Sequence, residues 1–583
     1  MSLDILCNSG NASSRTGPSP IRDDAKYSRS ANTRDMSVHK ITQSTGTDAA
    51  YNITDTTKDN HFQQKRYRSR ILGMVVALSC PFMGSQKYQS FKQEAIMKVD
   101  VVSRKLIKPC KPTPSDLRTY KISIIDELNP SMHVIRILYF ESDHAINGKH
   151  MISLEESLSQ VLPLFYPLAG RYDKEKHCVD HGSKLRSYNN DKTLFRMFRY
   201  RTFLSDRHWP IRIRIGRYYR ISADTLNYGV DCNDEGADFS VAEVDCSLHQ
   251  LIGAEVKSEQ INHLLPLEIG ATDELTDPML AVQINRFQCG GLAIGICASH
   301  RIFDSSSLGI FLKAWANAST DGGLVICPDF DSPLYFPSEN VAPLQFEVSR
   351  TRDKSIVSRR FVFDKNAISK LRESISTEWK STGTERPPSR VVVVSTILTP
   401  ALLRADRAKH GKSRASPIAQ AINVRERTVP PVGKYSCGTW VSISYLDFNP
   451  NQSHEMEQNY LGMVLKMREA TVQGVKDCAR ILSDRVFGKW VLVDSYFDAA
   501  QKASGPDYKV IWVTDWSKFG EYELDFGFGK PVWVSLADVP LRDLLILMNT
   551  KDNDGIEAWV YLHESDMAYL ERDEDLRMLT AQS

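Results

Sequence analysis

No two of the 11 cysteines stand in a C-x-x-C pair, so this 583-residue chain encodes neither a zinc ribbon nor a disulfide framework. Scattered thiols suit a reducing, cytoplasmic setting. Charge of one sign is also missing. With a formal net charge of +2, 25% charged and 42% hydrophobic residues, the balance is that of an ordinary globular protein, and no polyanionic partner is implied. Long apolar runs are scarce. Residues 71–84, behind the basic cluster at 65–70, resemble a targeting element but fall short of the ~20 residues of a spanning helix, so no membrane partner is expected. Met1 is followed by polar residues rather than an apolar leader, and no secretion is expected.

Several catalytic signatures are absent too. Neither H-E-x-x-H nor G-x-S-x-G occurs, which leaves a zinc protease or a nucleophile-elbow hydrolase without local support. Gly411-Lys412-Ser413 ends like a phosphate loop, but Asp406 stands where its first glycine belongs. What remains is chemistry by a base that needs no metal and no protein nucleophile.

The chain is too long for one core. Residues 1–96, rich in Ser, Thr, Asn and Asp without a helical or strand period, are expected to be disordered, and a domain is expected to begin at Met97. Residues 181–231 carry Arg196, Arg199, Arg201, Arg212, Arg214, Arg217 and Arg220 among aromatics, a composition that could serve a nucleic-acid surface. Yet the segment follows Cys178-Val179-Asp180 and ends in Gly229-Val230-Asp231, and removing it would join Asp180 to Cys232 as one strand and turn. It reads as a foreign insertion, and no nucleic-acid partner is expected.

Between Met279 and Ala298 the alternation of Leu280, Val282 and Ile284 with polar residues, the Gly290-Gly291 turn and the return series Leu292, Ile294, Ile296 predict a hairpin. By strand parity His300 falls on the bulky face and points inward. Leu308, Phe311, Leu312 and Trp315 then recur at helical spacing. Strands at 359–364, 508–516 and 555–562 interleave with helical stretches, so the fold is expected to be α/β or α+β.

His300 and Asp304 flank the start of that helix. An imidazole can take and return a proton near neutrality, so His300 is a candidate base, although a buried histidine satisfied by a hydrogen bond fits the same pattern. Asp304 equally suits the N-cap of the helix. A second constellation, Asp525-Phe526-Gly527-Phe528-Gly529, lacks the other parts of a kinase and reads as a glycine-bearing turn fixed by Asp525.

In this order and far apart, "HRIFD" (300–304) and "DFGFG" (525–529) resemble the H-x-x-x-D and D-F-G-W-G hallmarks of the plant BAHD acyltransferases. "FYPLAGR" (165–171), "QINRFQCGGLAIGICASH" (283–300), "NVRERTVPP" (423–431) and "DGIEAWV" (554–560) add to the likeness, and the opening at 102–128 is most similar to the vinorine synthase-like branch of alkaloid O-acetyltransferases. The resemblance implies two chloramphenicol-acetyltransferase-like α/β domains, 97–332 and 347–583, joined by a crossover loop at 333–346, with a channel between them. It implies acetyl or another acyl group passing from acyl-CoA, a cosubstrate and the only cofactor needed, to the hydroxyl of a small specialised metabolite such as an alkaloid, in a monomer. His300 would be the general base, with no covalent enzyme intermediate. Asp304 would turn away from the substrate toward Arg425, and 525–529 would support the fold. Phe528 stands where the family has Trp, and Thr439 where an Asn commonly follows the glycine of "CGTW". The alternative is an inactive paralogue or misassembled gene product that keeps the fold and binds a ligand or partner.

Overall fold

A computed structural model of the chain describes residues 97–141, 148–173, 229–253, 258–270, 272, 274, 276–320, 326–338, 348–381, 387–484 and 488–580. The expected disorder of 1–96, the targeting-like stretch at 65–84 and most of the expected insertion lie outside them. In chain order the strands are β1 (Val99–Ile107), β2 (Thr119–Lys121), β3 (His133–Phe140), β4 (Arg171–Asp173), β5 (Gly229–Asp231), β6 (Ala237–Val244), β7 (Leu280–Phe287) and β8 (Leu292–Ser299). They continue with β9 (Ile356–Phe363), β10 (Ile418–Asn423), β11 (Val441–Leu446), β12 (Ile511–Asp515), β13 (Trp533–Ser535), β14 (Leu544–Asn549) and β15 (Ile556–His563). Four helices matter to the site: α1 (Ile124–Glu127), α2 (Gly148–Val161), α3 (Ser305–Ser319) and α4 (Arg390–His410).

The architecture is mixed α/β. One six-stranded sheet has the order β1-β6-β7-β8-β3-β13 and a second the order β11-β10-β12-β14-β15-β9, with a small sheet β2-β5-β4 beside them. The hairpin β7–β8 is antiparallel from Leu280↔Ala298 onward, and Gly290 in its turn has φ +84°, a conformation that favours glycine. Both faces of β8 are buried. Its small face has a cause: a Cβ on Gly295 would lie 2.1 Å from the Leu264 carbonyl oxygen, so only glycine lets that backbone approach. On the bulky side, Leu308, Phe311, Leu312 and Trp315 of α3 are fully buried, and the Trp315 indole donates to the Leu154 carbonyl and Ser157 Oγ of α2.

β1 differs from its alternating sequence. It pairs only with β6 at the edge of its sheet, and Val101, Val102 and Leu106 are exposed. β13, far toward the C-terminus, pairs with Ile137–Tyr139 of β3 and stacks Trp533 on Tyr139 with centroids 4.7 Å apart. Three residues from beyond 347 thus complete the sheet built on 97–299, and the described residues hold together as one compact unit. Of the expected crossover, 339–346 lies outside the described residues; Phe336 docks its start on α1 by accepting from the Ile124 amide at 3.0 Å.

Gly229–Asp231 were read as the end of the insertion. They form β5, paired with both β2 and β4, and the Val230 side chain is fully buried. Gly170 of "PLAGR" is needed for the same contact, since a Cβ there would lie 2.4 Å from the Asp231 carbonyl oxygen.

Candidate active site

β8 ends at Ser299, and the backbone turns before α3 begins. His300 sits in this turn, its amide donating to the Met132 carbonyl at 2.8 Å, and it lines a cavity of about 950 Å³. Nδ1 is buried without a well-formed hydrogen bond, which leaves Nε2 for the cavity. Burial holds the imidazole below its ordinary value, opposed by its own carbonyl and by Asp304, so the ring is neutral at neutral pH.

Asp304 also borders the cavity, but its carboxylate is held from within the fold. As N-cap of α3 its Oδ1 accepts from the Ser307 amide at 2.7 Å, and Arg425 grips it from two sides, Nη1 to Oδ2 at 2.8 Å and Nη2 to Oδ1 at 3.1 Å. The Trp440 amide adds a fourth bond at 3.1 Å. Burial alone would raise this carboxyl; the Arg425 charge and its hydrogen bonds outweigh it and hold the group below the usual range. The remaining donors of Arg425 reach the Ser436 and Gly438 carbonyls, Ser307 Oγ and Asn423 Oδ1, so the guanidinium is satisfied although almost wholly desolvated.

A second carboxylate, unassigned by the sequence reading, grips the neighbouring amide. Asp126 in α1 is fully buried and accepts from the Thr439 amide at 2.6 Å and from Ser332 Oγ at 3.2 Å. Burial raises its pKa against the hydrogen bonds of Ser123, Thr439 and Ser332. The Ser123–Asp126 capping box was readable as an S-x-x-D signature, but not its partner. Consecutive amides of the 437–440 loop are thus held by Asp126 and Asp304, and the Thr439 side chain, where the family commonly has Asn, lies 3.4 Å from the His300 carbonyl oxygen.

The 525–529 segment lies elsewhere. Exposed Asp525 accepts from the Gly527 and Gly529 amides at 2.8 and 3.1 Å, and both glycines have positive φ, +94° and +102°. Phe526 packs edge-on to Trp315 of α3 and to Phe140 of β3, and Phe528 packs edge-on to Phe140. None of the five residues lines the cavity. Their contact is with the far part of the helix that Asp304 caps.

The cavity holds about 950 Å³ and runs from His300 past Ile135, Trp516 and Phe519 to the later lobe. Its volume lies at the upper end of small-molecule sites. Of the four lysines and arginines on its wall, three are paired, Lys409 with Asp566, Lys509 with Asp543 and Arg414 with Asp406; the fourth is Arg542. Among the described residues no group of His, Cys, Asp or Glu could hold a metal ion, and no helix is long and apolar enough to cross a membrane.

The family model described as the Transferase family matches residues 97–184 and 216–577, passing over 185–215. A pelargonidin glucoside malonyltransferase of Salvia splendens is 32% identical over 83% of this chain and 99% of its own length, and vinorine synthase of Rauvolfia serpentina is 30% identical over 81% and 96%. Stemmadenine O-acetyltransferase of Catharanthus roseus is 28% identical over 82% and 96%. The crystal structure of vinorine synthase superposes with a TM-score of 0.63 at 28% identity, over 83% of this chain and 98% of that one. The fold is shared with TRI101 of F. sporotrichioides, solved with coenzyme A and T-2, at a TM-score of 0.55 and 17% identity over 79% and 98%. With the family model covering most of the chain and the curated relatives matched over nearly their whole length, this chain belongs to the BAHD family of acyl-CoA-dependent acyltransferases.

Proposed function

We propose that the protein transfers acetyl from acetyl-CoA to a hydroxyl of a plant specialised metabolite such as an alkaloid, with His300 as general base. The observation that carries this reading is a neutral imidazole facing a large cavity while Asp304 is spent on Arg425. His300 Nε2 takes the proton of the acceptor hydroxyl as its oxygen bonds to the thioester carbonyl carbon. The tetrahedral intermediate then collapses, the C–S bond breaks, and the proton passes to the departing CoA thiolate. An alcohol is a poor nucleophile until its proton is leaving, so a base within about 3 Å supplies what the cosubstrate lacks. No step forms a bond between the enzyme and the acyl group.

Charge does not decide between acetyl and malonyl: Lys409, Lys509 and Arg414 of the cavity wall are each paired with an aspartate, whereas Arg542 on the same wall has no ion pair among the described residues. The choice of acetyl rests on the acetyltransferases among the relatives, while the Salvia splendens relative is named a malonyltransferase.

The test is release of free CoA thiol from acetyl-CoA by the full chain with a panel of alkaloid, terpenoid and phenolic alcohols. Acceptor-dependent release that His300→Ala lowers by about 10²–10⁴-fold is expected. Unchanged turnover in His300→Ala would remove it as the base, and faster release from malonyl-CoA would reverse the acyl assignment.

A further inference from the structure

β3 reads "HVIRILYF", a buried strand broken by one charge. The Arg136 side chain is 1% exposed, its Nε donates to Glu521 Oε1 at 3.1 Å, and its Nη1 donates to the Ile135 carbonyl at 2.8 Å. β13 reaches β3 only as far as Ile137, so the guanidinium covers a carbonyl on the part of the strand edge that no neighbour pairs. Its Cζ lies over the Trp516 ring, 3.9 Å from the centroid. Trp516 and Ile135 line the cavity and Arg136 does not, so the indole is a partition with a fixed cation behind it.

We propose that Arg136, through Trp516, is a specificity-determining residue that turns the cavity away from ammonium groups and toward neutral, ring-bearing acceptors at this wall. The inference rests on the reading of this cavity as the acceptor site. An aromatic face attracts a cation because its π cloud is electron-rich. A guanidinium stacked behind the ring already draws on that cloud, and a second cation on the open face would meet both a depleted ring and a like charge across one indole thickness. Glu521 moderates the charge from Nε, while the guanidinium carbon stays 3.9 Å from the ring centroid. A neutral polycyclic skeleton suffers no such penalty and gains the flat contact. An alkaloid acceptor would therefore present its neutral ring system to Trp516 and carry any protonated nitrogen elsewhere.

The experiment measures binding, so it stands or fails independently of turnover. Dissociation constants of quinoline and N-methylquinolinium, two flat probes differing in charge, are determined calorimetrically for the full chain and three variants. Because desolvation alone favours the neutral probe, the readout is the change in the ratio of the two constants between proteins. Arg136→Leu/Glu521→Leu, which removes both charges together, is expected to narrow the preference for quinoline about tenfold. Glu521→Gln, which keeps the geometry and leaves the guanidinium uncompensated, is expected to widen it severalfold, and it remains informative if the double variant does not fold. Trp516→Leu is expected to weaken both probes together. Ratios unchanged within twofold in the two charge variants, or a wild-type cavity that takes neither probe, would overturn the proposal.

Discussion

Asp304→Ala separates a residue that holds the site from one that does the chemistry. The substitution removes the N-cap bond to the Ser307 amide, worth about 1 kcal/mol, and strands Arg425, only 5% exposed, without its counter-charge, at about 3–5 kcal/mol. Together these come to about 4–6 kcal/mol, a large share of the 5–15 kcal/mol typical of a folded domain. A compact unit of about 500 residues unfolds with an entropy near 1 kcal/mol/K, so each kcal/mol moves the melting temperature by about 1 °C. Thermal melting should therefore fall by about 4–6 °C, and CoA-thiol release well below the transition should fall far less than in His300→Ala, whose own melting temperature should be unchanged. Replacing both partners, Asp304→Leu with Arg425→Met, should recover about half of the loss, because no charge is left unpaired although the Ser436 and Gly438 carbonyls lose a donor. A melting temperature unmoved in Asp304→Ala while turnover disappears would refute the reasoning and place Asp304 on the reacting atoms.

Three further outcomes can be checked. Burial holds His300 below the ordinary imidazole value and Asp304 partly offsets this, so the acid limb of kcat/KM should lie below pH 6.5 and move lower still in Asp304→Asn; a limb at pH 7 or above contradicts the assignment. Glu127, buried and accepting from Ser338 Oγ, is pushed up to about 7, above its unfolded value of ~4.3, so the folded state binds the extra proton and stability is lost as pH rises between the two. Glu127→Gln should thus raise the melting temperature by about 3 °C at pH 8 and by nothing near pH 4.5, a difference read by melting both proteins across that range. Deleting 181–231 brings Cys178-Val179-Asp180 to the place where Gly229-Val230-Asp231 now pairs with Thr119–Lys121 and Arg171–Asp173, and the repeated Val-Asp should let the shortened chain fold with an unchanged or higher melting temperature. A fall of several degrees would show that the longer chain is needed.

What periodicity could reach is local. The β7–β8 hairpin and α3 were legible because turn glycine, alternation and helical spacing all act within a few residues, and the N-cap at Asp304 follows from the residue type itself. β1 shows the limit: its alternating valines specify a strand but not which strand lies at an edge, and among the described residues only β6 pairs with it. β13 was unreadable for another reason. Three residues carry no period, and their placement beside β3 is decided by Trp533 stacking on Tyr139 some 400 residues away in sequence, a contact no window contains.

The candidate site follows the same rule at longer range. Resemblance to a family, rather than spacing, suggested that Arg425 belongs with Asp304, since 121 residues separate them. The grip of Asp126 on Thr439 spans 313 residues, and that of Arg136 on Glu521 spans 385. Each nevertheless left a trace: an aspartate three after a serine at the mouth of an apolar run, or an arginine inside a strand otherwise fit for the core. Such a breach is costly unless a partner answers it, so a polar residue that breaks a buried pattern is evidence for a second residue elsewhere. The sequence states that the partner exists and leaves its identity to the fold. In this chain two of those breaches, Asp126 and Arg136, fall within twelve residues of His133 and Met132, where the strand meets the turn that carries His300, which is where a binding cavity must be rigid without being sealed.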